Sequence, residues 1–357
     1  MKTFCRSLVF WLCAAPVFAG GQPLPSRCAG LAFAPGLVSQ ESAARAAAGK
    51  KTADLKGEKA ASACACIGAL MGAEERFSVL EELRALQRGY PPSVSVPVWL
   101  WMIGDPSLNR WARARAAGDL CRQAAFTPQD KALLSGLEGV LSGPDSAARG
   151  LAASALVFSG RHGAGASREA DLVRACAIAP EDASVALFQL GNDERTFSLL
   201  LSFSSSTDAG LREGAAQALG KMEHYGPHAI PRLMKMLEDD APAVASAAAY
   251  ALTHFEEESA KPLWACVLES CGEPGGKTCA RCADALSLSE SGPGMAVAFL
   301  DANAPLSQRR AAFAVLANAT TGFDLSPYAQ AIGRALSDTD PAVRSLAEKA
   351  FSRLKGE

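Results

Sequence analysis

Between Leu211 and Phe255 one apolar pattern occurs twice. Leu211, Gly214, Ala215, Ala218, Leu219 and Met222 recur 33 residues later as Val244, Ala247, Ala248, Ala251, Leu252 and Phe255. Positions 1, 4, 5, 8, 9 and 12 fall on one stripe of an α-helix, so each copy has one face to bury and one to leave in water. Between the copies, Ala229 to Leu237 is a further amphipathic segment, opened by Pro227 and closed before Asp239 and Asp240. A helical unit repeating at this interval hides its stripe only against neighbours of the same kind, which restricts the chain to a stack.

Composition agrees with a stack of helices. The chain has 357 residues and is 49% hydrophobic, but only 7% aromatic. Alanine and leucine therefore supply most of the apolar surface, which suits close helix packing better than sheets. Such a length ordinarily implies two or three globular domains, an inference a repeat array removes because each unit packs only on its neighbours.

The ninth stripe position can be followed along the chain. It falls at Leu86, Leu120, Leu156, Leu190, Leu219, Leu252, Leu286, Leu316 and Phe351, in steps of 29 to 36 residues. The pattern starts near Glu58 and is weakest over 58–125, where Ser78, Glu81 and Glu82 occupy expected core positions. Short turns precede several second helices: Gly104-Asp105-Pro106, Gly143-Pro144-Asp145, Asp239-Asp240-Ala241-Pro242 and Asp338-Thr339-Asp340-Pro341. Asp accepts hydrogen bonds from the unpaired N–H groups of a helix start, and Pro fits the first turn because its missing donor costs nothing there. These residues are structural, with no catalytic role.

The run from Asp338 through Pro341, Ala342, Val343 and Arg344 to Phe351 resembles the inter-helix turn and second helix of a HEAT repeat. Leu211 to Gly220 and Asp239 to Leu252 are similar. The resemblance covers 208–255 and 305–354 well, 127–191 fairly, and extends to the PBS-lyase-type members of the family. It implies an all-α fold, a right-handed α-solenoid of about nine hairpins over 58–357, whose second helices line a concave binding face. It implies no common chemistry, since one fold hosts many functions.

The N-terminus reads as a targeting signal of an exported, bacterial-type protein. Lys2 and Arg6 precede the apolar run Leu8 to Val17, and Val17-Phe18-Ala19 forms a small-residue cleavage site before Gly20. Neither Cys13 nor Cys28 follows the small residues of a lipid-attachment site, and no later stretch has the roughly 18 apolar residues of a membrane span. Loss of 1–19 would shift the formal net charge from −2 to −4 and leave nine cysteines. That charge gives no basic surface for a nucleic acid. Residues 20–57, rich in Gly, Pro, Ala and Lys, read as a flexible arm or cap that Cys28 could tie to the body.

The densest chemical feature is Cys266, Cys271, Cys279 and Cys282, placed within one hairpin. Two nested disulfides, Cys271–Cys279 and Cys266–Cys282, would staple it. A four-thiolate zinc site or a Cys-x-x-Cys redox pair are the alternatives, and export favours disulfides. Gly272 to Thr278 imitates a phosphate-binding loop but has Cys271 where the first glycine belongs and follows a helix instead of a strand. His162, His224, His228 and His254 form no ligand set, since Gly226-Pro227 separates the middle pair. The His-Glu dipeptides of metal hydroxylases built on this repeat are lacking. The acidic runs Glu238 to Asp240 and Glu256 to Glu258 suit solvated helix ends, not a calcium loop. Trp99, Trp101 and Trp111 read either as core or, if exposed, as a partner site.

These features point to a non-enzymatic exported scaffold that binds a protein or peptide along the concave face. It needs no metal or cofactor. The binding candidates are Arg212, Glu213, Gln217, Lys221, Ser246, Tyr250, Arg344, Glu348 and Arg353, all off the buried stripes. A chaperone- or lyase-like factor acting on a partner protein, and a zinc or redox protein using the cysteine hairpin, are the competing readings.

Overall fold

The computed structural model describes residues 25–166, 168–190, 193–271, 277–289, 291–319 and 323–354. The segment 1–19 and the loop 272–276, which holds most of the phosphate-loop lookalike, lie outside them. Among the described residues every regular element is helical. The chain divides into two compact units, Met1–Asp145 and Ser146–Glu357.

The first unit holds α1 (Ala34–Leu37), α2 (Ser42–Ala53), α3 (Gly57–Ala73), α4 (Phe77–Arg88), α5 (Pro92–Gly104), α6 (Arg110–Phe126) and α7 (Lys131–Leu141). Helices α3, α5 and α7 pack in succession as one layer, and α2, α4 and α6 form the other. Ile67, Leu70, Met71, Leu83, Met102, Ile103, Leu120, Leu133 and Leu137 are fully buried.

Of the segment read as an arm, residues 25–53 form α1, α2 and a short 3-10 turn. Cys28 is disulfide-bonded to Cys66 on α3. Arg76 donates to the Val38 carbonyl at 2.7 Å, and the Tyr90 hydroxyl to that of Thr52 at 3.2 Å. Helix α2 escaped the sequence reading because it is mostly alanine and lysine, with too little contrast between its faces to show a period.

The second unit begins with α8 (Ser146–Phe158), α9 (His162–Ala166), α10 (Glu169–Cys176), α11 (Pro180–Leu190), α12 (Asp193–Phe203) and α13 (Ala209–Gly220). It continues with α14 (Gly226–Met236), α15 (Pro242–Thr253), α16 (Glu256–Ser270) and α17 (Lys277–Leu288). The last four are α18 (Gly292–Val297), α19 (Leu306–Asn318), α20 (Ala329–Ala335) and α21 (Pro341–Leu354). Second helices α8, α10, α13, α15, α17, α19 and α21 pack each on the next, while α12, α14, α16, α18 and α20 back them as first helices.

Two of the sequence marks need correction. Leu190 lies on α11, which packs on α8, α9 and α10 and is not the second helix of its repeat; that place belongs to α10. Eight residues give α10 room for only the start of the stripe, Leu172, Ala175 and Cys176, so the longer α11 imitated it. On α4 the buried stripe is Val79, Leu80, Leu83 and Gln87, not one running through Ser78 and Leu86. Glu81 and Glu82 therefore lie off the core and pair with Arg115 and Arg45.

Small residues set the closeness of the second helices. A Cβ on Gly214 would run into the carbonyl oxygen of Val173, and one on Gly150 into that of Asp171. Arginines then tie hairpin to hairpin. The fourth residue of a second helix is Arg113, Arg149, Arg212 or Arg309, and each bonds an aspartate of the following repeat: Asp145, Asp171, Asp239 and Asp338. Arg212, Arg309 and Arg344 also donate to carbonyls of the turn before their own helix. Arg45 on α2 does the same with Ser39 and Gln40 and reaches on to Glu82, which marks α2 as a second helix of this mould.

Candidate functional site

The candidate surface is the solvent face of the second helices, and the residues expected on it fall into two groups. Arg212 is committed to Asp239 and to its own turn. That hydrogen bond holds the Asp239 carboxyl below the usual carboxylate range and raises the guanidinium. Arg344 donates to the carbonyls of Asp338 and Thr339. Lys221 pairs with Glu181 at 2.6 Å, and Glu213 is half-buried. Gln217, expected in water, is only 9% exposed: it lies where α13 is packed on both sides, by α10 and α15, so the free arc of the helix is narrower than a single-sided stripe suggests. Ser246, Tyr250, Glu348 and Arg353 do face solvent.

Around Tyr250 the second unit has a distinct local chemistry. Tyr250 meets His254 edge-on with ring centroids 5.1 Å apart, and burial lowers the His254 pKa, favouring the neutral ring. A cleft of about 320 Å³ nearby is lined by Phe188, Lys221, Met222, Glu223, His224 and Tyr225. Tyr225 stacks on Phe197, and His224 and His228 are exposed. Among the described residues no three His, Cys, Asp or Glu side chains gather as a metal site.

The cysteine hairpin carries the disulfides Cys266–Cys282 and Cys271–Cys279, joining α16 to α17. Cys64 and Cys176 are buried thiols, each pushed up to about 12 by burial, which keeps them from being the thiolate a nucleophile or metal ligand needs.

The tryptophans split. Trp99 is core, its indole N–H donating to Gln87 at 2.9 Å. Trp101 lies under the Arg27 guanidinium, 3.9 Å from its ring centre. Trp111 is 56% exposed at the start of α6.

Beside it the first unit presents an arrangement that the sequence reading missed. Phe77, Glu81, Arg84 and Arg88 run down α4, and Trp111, Arg115, Asp119 and Arg122 run down α6. Arg115 bonds Glu81 at 2.6 Å and stands 5.5 Å over the Phe77 ring. Farther along, Arg84, Arg88 and Arg122 all close on Asp119, at 3.0, 2.5 and 3.5 Å. Glu81 and Arg115 are 34 residues apart, and the same offset puts Trp111 opposite Phe77. The signal available beforehand was that shared offset between two stripes of i, i+4 spacing.

Comparison with protein families supports the repeat over part of the chain. The family model for HEAT repeats matches residues 179–253 and 197–271. Among solved structures, an engineered protein is 17% identical over 90% of this chain and 98% of its own, with a TM-score of 0.32. A structure describing Kap95p binding to RanGDP is 12% identical over 91% of this chain and 48% of its own, at a TM-score of 0.36. A HEAT-like repeats protein from the archaeon Thermococcus onnurineus NA1 is 14% identical over 75% and 98%, at 0.29. A search of curated proteins finds no match. The fold is an all-α solenoid of helical hairpins, HEAT repeats over 179–271. Among the described residues no helix is long and apolar enough to cross a membrane.

Proposed function

We propose that this chain is an exported, non-enzymatic scaffold that binds a protein or peptide on the solvent face of its second helices. One observation carries the reading. Of the seven large apolar side chains exposed among the described residues, six lie on second helices: Phe77 on α4, Trp111 and Phe126 on α6, Tyr250 on α15, Leu288 on α17 and Leu306 on α19. Only Val185 lies elsewhere, on α11. Exposed aromatics confined to one class of helix suit partner contact, since interfaces are enriched in them. Three disulfides support export, because such bonds persist in oxidising compartments.

The test is site-specific photo-crosslinking in the producing cells, with the reactive side chain at 111, 246 or 250 and, as controls, at the exposed first-helix positions Lys235 and Lys261. Discrete protein adducts from the first set alone are expected. Adducts confined to the controls, or none from the correctly folded protein, would overturn the reading. N-terminal sequencing of the exported chain checks the start near Gly20.

A further inference from the structure

Resting on that reading, we infer that the α4–α6 face of the first unit binds an extended acidic peptide, pairing an apolar side chain at one end with a carboxylate at the other. The charge is the starting point. Four guanidiniums, from Arg84, Arg88, Arg115 and Arg122, share this face with two carboxylates, those of Glu81 and Asp119. Three of the four converge on Asp119, whose side chain is 2% exposed. Arg84 also reaches Glu81 at 3.7 Å, but Glu81 is shared with Arg115, so four guanidiniums against two carboxylates leave a surplus of positive charge on this face in a chain whose formal net charge is −2.

The surplus is reachable. Arg88 and Arg122 keep 35% and 54% of their side-chain surface open. Both have N–H groups left after bonding Asp119, because a guanidinium carries five donors. A second carboxylate bridging them would form charge-assisted hydrogen bonds without displacing the buried one.

The other end is apolar. Phe77 and Trp111 are 60% and 56% exposed and hold equivalent places on neighbouring helices. Arg115 stands over one face of Phe77, and the exposed remainder of that ring and Trp111 are available as anchors. Eleven residues separate Phe77 from Arg88 and Trp111 from Arg122, a span of about 16 Å at the helical rise. An extended strand covers that span in about five residues. The ligand is therefore a peptide with an aromatic or aliphatic side chain and an Asp or Glu about five residues apart.

Aromatic rings beside arginines also suit single-stranded nucleic acid. Here Glu81 lies between the aromatic and basic ends, and with Asp119 it would oppose a continuous phosphate backbone, whereas a peptide brings its negative charge to one place.

The experiment is selection of random 12-residue peptides displayed on phage against the full chain. Synthetic labelled copies of the selected peptides are then titrated by fluorescence anisotropy. The enriched sequences should carry an apolar side chain and an acidic one four to six residues apart. Arg122→Glu and Trp111→Ser, both at exposed positions, should each weaken binding at least tenfold while leaving the circular dichroism spectrum unchanged. Lys in place of the peptide's acidic residue should recover binding to the Arg122→Glu variant but not to the wild type. Failure to enrich any peptide, enrichment without an acidic residue, or indifference to both substitutions would overturn the inference. So would tighter binding of a labelled 12-nucleotide thymidine strand. Selected peptides whose binding depends on Tyr250 would overturn this assignment and leave the scaffold reading standing; absence of adducts from 111, 246 and 250 would remove both.

Discussion

Arg212 and Asp239 face one another across successive hairpins, Nε to Oδ2 at 2.7 Å and Nη2 to Oδ1 at 2.9 Å. The third nitrogen, Nη1, donates to the carbonyls of Ser206 and Thr207, so one side chain closes its own turn and grips the next repeat. Arg212→Ala should cost about 1.5–3 kcal/mol, the range for hydrogen bonds to charged groups. Arg212→Lys should recover only part, because an ammonium cannot span two oxygens and two carbonyls in one plane. Urea unfolding of the two variants measures this, and an unchanged midpoint for Arg212→Ala would show the contact to be ornamental.

Glycine at position 214 should be irreplaceable in a way that glycine at 139 is not. A Cβ at 214 meets the backbone of Val173, which cannot swing aside, whereas one at 139 meets nothing within 4 Å. Gly214→Ala is expected to cost about 1–3 kcal/mol, as overpacked cores do. Gly139→Ala, on an exposed turn of α7, should gain about 0.4–1 kcal/mol by restricting the unfolded chain. Thermal melts that move the same way for both would contradict this account.

Reduction should loosen the α16–α17 hairpin. The bonds span sequence separations of 16 and 8, and a closed loop of about 15 residues confers about 3 kcal/mol through the unfolded chain. Because the loops are nested, removing the inner bond alone, with Cys271→Ser and Cys279→Ser, should cost less than removing both. Hydrogen exchange over 256–288 with and without reductant reads the effect. Protection that does not change would mean that packing alone holds the pair.

Stability at the C-terminal hairpin should fall in acid within a defined window. Arg310 bonds the Asp340 carboxylate and holds its pKa down to about 2, against an ordinary 3.8. The folded state therefore favours the ionised form, and the resulting stabilisation is complete above 3.8 and lost as pH falls through about 2. Asp340→Asn should melt below the wild type at pH 6, and the gap should close between pH 4 and 2. A gap independent of pH would assign the effect to helix capping through Val343 instead.

The fold was legible where helices are long and their two faces differ. Leu211 to Phe255 displayed the stripe, the turn and the period together because α13 and α15 have twelve residues each. The same reasoning lost α10 to its shortness and α2 to its uniform composition. The candidate surface was less legible, for a reason that Gln217 and Arg212 share. A helix wheel shows which residues leave the stripe but not which are claimed by the next helix along, and α13 has neighbours on both flanks. Phe77 was overlooked in the opposite sense, since an exposed aromatic at a helix start is indistinguishable in sequence from a buried one.

The Cys28–Cys66 bond has a mechanical consequence. Tension applied to the chain ahead of Cys28 passes through sulfur into α3 and bypasses the 37 residues between the two cysteines. That stretch would otherwise add about 130 Å of contour length when pulled straight, at about 3.5 Å per residue. In the oxidised protein α2 thus bears no load from a tether at the N-terminus, and reduction alone would release that hidden length.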